Sequence, residues 1–267
     1  MIAWLHRFIG VVRVSTRASM LFANIGTLLV SVFIVPCLDI IFSILLGSSL
    51  GSRNLALIAY SGVLLQMALC VCSVTCTAAD YAKQENVIEE VLTRRKVDTA
   101  YWTGITVPGL VAGCMVGLVS ALLIFLARNA VKGVSPGLFG FAFGIDELTT
   151  VFDLFPAALI AGFGLSIFSV GSGLPATDGF FMLNAVTALL PITSGAVVPL
   201  AYYPGFVRSV FSLLPLSSTI GSLNFPTSPL LVSFTEACKS LVFILVGLLI
   251  TQITMQRIHK GISITRN

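Results

Sequence analysis

The chain has 267 residues, of which 57% are hydrophobic and 10% charged, with a formal net charge of +4. Soluble domains carry about 25% charged residues, and a soluble fold of this size would expose large apolar patches if it were built from this composition. The charge excess is too small to point to a nucleic-acid partner, so the composition is that of an integral membrane protein.

The first 18 residues, MIAWLHRFIGVVRVSTRA, do not read as a signal peptide, because Arg13 and Arg17 interrupt the apolar run and no small-residue cleavage site follows. As a helix, His6, Gly10, Arg13 and Arg17 fall on one stripe, with Trp4, Leu5, Phe8, Ile9 and Val12 off it. The expectation for 1–18 is an amphipathic helix lying flat at the headgroups.

A bilayer core about 30 Å thick needs about 20 apolar residues per helical crossing. Six stretches qualify: Leu21–Leu46, Leu55–Ala79, Tyr101–Ala127, Leu154–Gly173, Phe180–Pro199 and Cys238–Ile258. Asp39, Asp153, Asp178 and Glu236 fall near the ends of these stretches, where charge is tolerated. The fold class expected is an all-α polytopic membrane protein with six transmembrane helices, forming a single transmembrane domain over 1–267.

Between the second and third stretches lies DYAKQENVIEEVLTRRKVD, Asp80 to Asp98, which holds nine of the 26 Asp, Glu, Lys and Arg residues. Read as a helix, 80–96 places Ile88, Val91, Leu92 and Arg95 on one stripe and turns Glu85, Glu89, Glu90 and Arg94 elsewhere. Acidic residues come first and basic ones last, which suits the helix dipole, and Glu90 precedes Arg94 by four. Topology alone would need only Lys and Arg, so the block reads as a docking helix. Ten basic residues lie on this side with the two termini and five on the other. The bias places the block and both termini in the cytoplasm of a multi-pass cell-membrane protein.

The stretch 200–237 contains YYPGFVRSVFSLLPLSSTIGSLNFPTSP, cut by Pro204, Pro215, Pro226 and Pro229 into pieces too short to span. Pro204-Gly205 starts a helix with Phe206, Val210, Phe211 and Leu214 on one face, and Pro215 limits it to about ten residues. Short re-entrant or interfacial helices on the outer side are expected.

Chemistry is sparse. Cys37, Cys70, Cys72, Cys76, Cys114 and Cys238 lie in apolar surroundings and read as packing residues, Cys72 and Cys76 included despite their i, i+4 spacing. His6 and His259 are too few for a zinc site. No paired catalytic groups fall at membrane depth, so neither a catalytic nor a metal site is expected. There is no G-x-x-x-x-G-K-[ST] loop, so ATP hydrolysis is not expected in this chain.

The order of an amphipathic N-terminus, two spans, QENVIEEVLTRRKVDTAYWTG, two spans and LPITSGAVVPLAYYPGFVRSVFSLLPLSS resembles the permease subunits of type-2 (ABC-2) ATP-binding-cassette exporters. The resemblance rests on the acidic-then-basic run before the third span, and on Ser194-Gly195, Pro199, Pro204 and Leu214-Pro215 after the fifth. It covers essentially the whole length. It implies that 80–96 is a coupling helix, with Glu85, Ile88, Glu89, Glu90, Leu92, Arg94 and Arg95 seated on a separate ATPase. It implies a connecting helix at the N-terminus and outer re-entrant helices carrying Pro204, Phe206, Phe211 and Pro215.

The partners implied are two cytoplasmic ATP-binding-cassette ATPase subunits, which bind the ATP and Mg, a second permease chain in a homo- or heterodimer, and membrane lipids. The substrate path implied runs along the first, second and fifth spans. Gln66, Ser73, Thr75 and Thr77 on the second and Asn184, Thr187, Thr193 and Ser194 on the fifth are the polar candidates; each serves equally as an interhelical hydrogen-bonding group. The cargo expected is amphiphilic or hydrophobic: a drug, natural product, peptide or lipid-linked glycan. The alternative is the substrate-capture subunit of an energy-coupling-factor vitamin importer.

Overall fold

The computed structural model describes residues 2–49, 55–85, 87, 88, 91, 98–131, 145–176, 178–225 and 227–259. The chain is an all-α polytopic membrane protein, and five of its described helical segments are long and apolar enough to cross a bilayer. In chain order the elements are α1 (Ile2–Ala18), α2 (Met20–Ala23), α3 (Ile25–Leu29), a π-helical turn (Val30–Ile34), α4 (Val35–Ser49), α5 (Leu55–Gln84), α6 (Thr99–Val131), α7 (Ile145–Gly173), α8 (Phe181–Thr193), a 3-10 turn (Leu200–Tyr202), α9 (Gly205–Ser212), α10 (Ser217–Asn224) and α11 (Pro229–His259).

The bundle is α5, α6, α7 and α11. Hydrocarbon on a helix surface gives no preference for protein over lipid, so membrane helices associate where small residues let backbones approach. Gly109, Gly113 and Gly117 form such a seam on α6. A methyl group at Gly109 would sit 2.7 Å from the Val71 carbonyl oxygen of α5, one at Gly113 would sit 2.9 Å from that of Met67, and one at Gly117 would strike the Met67 sulfur. A second seam joins α7 to α11. There Gly164 lies against Ser240, and seven residues further along each helix Gly171 lies against Gly247. The Ser240 hydroxyl donates to the Ile160 carbonyl at 3.0 Å, which fixes the register of that pair.

The first membrane segment is built differently. Expected as one helix over Leu21–Leu46, it breaks at Asn24, whose extended backbone and side-chain acceptance from the Gly26 N–H start α3. It then passes through the π turn before becoming α4. Only 11% of Ile25–Phe42 is buried, against 61% of Leu57–Gln84.

Three other boundaries move by more than five residues, and the first is the start of α7 at Ile145, nine residues before the expected Leu154, which puts Asp153 inside the helix. α8 ends at Thr193, and at about 1.5 Å per residue its 13 residues reach about 20 Å, well short of the expected Phe180–Pro199 crossing. The chain then turns through Gly195 at φ +83°. α11 begins at Pro229, nine residues before the expected start at Cys238, so Glu236 and Lys239 lie inside the helix.

α1 lies against the start of α6 and divides into three sectors. Phe8, Val11 and Ser15 face the protein, and a methyl group at Gly104 of α6 would lie 2.9 Å from the Val11 side chain. Ile2, Leu5 and Ile9 form an exposed apolar sector, and His6, Gly10, Arg13 and Arg17 an exposed polar one.

Candidate functional site

The charged end of the bundle is a junction of four helices. Asp98 stands just before α6, and its Oδ1 accepts the Ala100 N–H at 3.1 Å while its backbone carbonyl accepts those of Tyr101 and Trp102. A carboxylate there satisfies a free donor of the first turn and faces the positive end of the helix dipole. The other oxygen takes the Arg7 guanidinium of α1 at 2.9 Å. Beside it the Trp4 indole N–H donates to Thr99 Oγ1 at 3.1 Å, its ring stacked on Phe8. α1 is thus pinned to the first turn of α6.

The end of α5 is pinned as well. Lys83 Nζ donates to the Ala176 carbonyl at 2.8 Å, in the turn between α7 and α8, and Gln84 donates to Asp80 at 2.7 Å. Glu85 is exposed, whereas Ile88 is 2% exposed and belongs to the buried core, with Val91 packed beside it. Ile88 and Val91, the described apolar members of the stripe, therefore face the bundle. Glu89, Glu90, Leu92, Arg94 and Arg95 lie outside the described residues.

The opposite end carries the bent hairpin. Ser61, near the start of α5, donates to the Ala196 carbonyl at 3.2 Å, so the α8–α9 connection lies at that end. The 19 residues from Ser61 to Asp80 put about 28 Å between the two ends, close to a membrane thickness. Pro204 caps α9, Phe206 is 82% exposed, and Phe211 meets Tyr203 edge-on with ring centres 5.2 Å apart. Pro215 is buried at the bend, where α9 and α10 meet at 110°.

The bend is held by a carboxylate that hydropathy assigned to a helix end. Glu236 of α11 is 0% exposed and accepts three backbone N–H groups at the start of α10: Leu216 at 2.8 Å, Ser218 at 2.9 Å and Thr219 at 3.1 Å. Leu216 adopts φ +72°, a left-handed conformation unusual for a residue with a side chain, and this aims its N–H at the carboxylate. Lys239 Nζ lies 3.8 Å from Glu236 and donates to the hydroxyls of Ser217 at 2.8 Å and Ser218 at 2.5 Å. A charged acceptor from another helix thus serves as the N-cap of α10, and its charge is matched.

The sequence-predicted path residues do not converge on one cavity. Ser73 faces a cleft beside the first membrane segment, and Gln66 is half-buried elsewhere on α5. Asn184 and Thr187 are exposed on α8, Thr187 donating to its own Leu183 carbonyl at 2.9 Å. Ser194 is fully buried next to Gly195, and its hydroxyl has no partner among the described residues.

Sequence reasoning missed Glu236, Lys239, Arg7 and Asp98. The one local signal among them was Asp98-Thr99 directly before an apolar run, an N-cap pattern. Comparison of the chain with family models, with curated proteins and with solved structures gives no match.

Proposed function

We propose that the chain is the membrane-spanning permease subunit of an ATP-driven exporter of the type-2 ATP-binding-cassette class, moving an amphiphilic or hydrophobic substrate outward. The observation that carries this reading is the mounting of the polar block. It leaves α5 beside the Lys83–Ala176 contact and enters α6 beside the Arg7–Asp98 ion pair, with Ile88 turned into the bundle and Glu85 turned out. A loop that only enforced topology would need no such fixing. A segment that receives force from a soluble motor needs it, because slack at either flank would dissipate the stroke.

On this reading 80–96 is the coupling helix and α1 a connecting helix at the membrane surface, its apolar sector in lipid. α8 together with the 3-10 turn completes a sixth crossing, and both termini are cytoplasmic. α9 and α10 are the outer re-entrant pair. ATP and Mg belong to two partner ATPase subunits, and a second permease chain, identical or related, closes the path.

The test is co-reconstitution in vesicles with the cognate ATP-binding-cassette ATPase. Reversing the charge of the block in a Glu89→Arg/Glu90→Arg variant should abolish ATPase binding and permease-dependent stimulation while membrane insertion is retained. Unchanged binding by the variant, or transport by the chain without any ATPase, overturns the reading.

A further inference from the structure

A cleft of about 250 Å³ separates the first membrane segment from α5. Five of its seven described lining residues carry hydroxyls, Ser19, Thr27, Ser31, Ser73 and Thr77, and the other two are Leu21 and Val74. Ser73 lies seven residues before Asp80, about 10 Å along the axis from the charged end, so the cleft sits within the membrane half nearest the polar block.

Hydroxyls on membrane helices ordinarily satisfy themselves by donating to a carbonyl one turn back. Thr77 does so to Ser73 at 2.8 Å, and Thr27 donates to Asn24 at 2.7 Å. The Ser31 and Ser73 side chains make no hydrogen bond among the described residues, and that of Ser19, 1% exposed, does not cap the helix it precedes. Ser31 stands in the π turn, Val30–Ile34. Such turns are rare, disturb regular helix hydrogen bonding and are frequent at functional sites.

We infer that this cleft binds the uncharged, hydroxyl-bearing head of an amphiphile. The head class follows from the walls. The Ser31 and Ser73 hydroxyls can both donate and accept, and those of Thr27 and Thr77, whose protons go to carbonyls, can still accept, which suits a ligand that does both. An ionic head would lose its hydration with no opposite charge among the described lining residues to replace it. The size agrees, since pockets that enclose a whole drug-sized ligand run to about 300–1,000 Å³. This one holds a head and leaves the tail outside. The tail then lies along the exposed apolar face of the first segment, with Leu29, Val30 and Phe33 next in line. The inference deepens the export reading by naming a head class for the cargo, but the binding step needs no ATPase, so the two fail separately.

The experiment is photolabelling of the full chain in neutral lipid nanodiscs with an alkyl glucoside carrying a diazirine on its first tail carbons. Peptides containing Leu21 and Val74 should be labelled. Unlabelled octyl glucoside should compete, whereas octyl phosphate and octyltrimethylammonium should not. A Ser31→Ala/Ser73→Ala variant should lose labelling about tenfold, as expected for one or two lost hydrogen bonds, and Ser73→Thr should retain it. Equal competition by the charged heads, or labelling spread evenly over the lipid-facing helices, overturns the inference. These arms use the unsubstituted protein and stand even where the double variant fails to fold. Undiminished labelling in a folded double variant overturns it as well.

Discussion

The two helices of the bent hairpin have the same length, eight residues each, and opposite fates. α10 is anchored by a buried carboxylate on three of its N-terminal donors and by a lysine on two of its hydroxyls. α9 has no comparable anchor among the described residues, and Phe206 within it and Leu213 directly after it are 82% and 70% exposed. The difference shows that hairpin shape and hairpin attachment are separate properties. Prolines and a left-handed Leu216 set the bend, while a distant acid decides which arm moves with the bundle.

The comparison can be broken most forcefully at Glu236. Glu236→Ala leaves three backbone donors without their acceptor and the Lys239 charge without its counter-charge, and loss of one member of a buried pair costs about 3–5 kcal/mol. Amides 216–224 should lose their protection from hydrogen exchange while those of α9 stay as they were; protection that survives means α10 is held by something other than the cap. Lys239→Met is the milder test. Glu236 keeps its three N–H donors, so a loss of about 1–3 kcal/mol in thermal stability in detergent is expected. Phe206→Ala should change stability by less than about 0.5 kcal/mol, the usual effect at a surface site. A larger loss would show that a second molecule covers α9.

The parts of this architecture that depend on composition were legible in the sequence, and the parts that depend on pairing were not. The membrane class, the polar block and the division of 200–237 by Pro204 and Pro215 all follow from local chemistry. Glu236 illustrates the opposite case. A hydropathy reading treats Glu236 and Lys239 as the edge of the last span and starts it at Cys238, because an isolated charge is costly in lipid. The helix instead starts at Pro229, since α10 supplies donors from about 20 residues away and removes that cost. The break at Asn24 and the π turn at Val30–Ile34 were equally hidden, because neither changes the apolar composition of the segment. The path residues chosen for polarity alone included Thr187, which is satisfied by its own helix, and Ser73, whose hydroxyl has no partner among the described residues.

The seam between α7 and α11 has a mechanical consequence. One point of backbone contact between two rods leaves them free to pivot about it. Two points remove that freedom, and here Gly164 against Ser240 and Gly171 against Gly247 act as a pair of dowels. α11 holds the cap of α10 at one end, and the turn after α7 receives Lys83 at the other. The doweled pair is therefore a continuous strut between the Lys83 contact and the α10 cap, held against pivoting at two points.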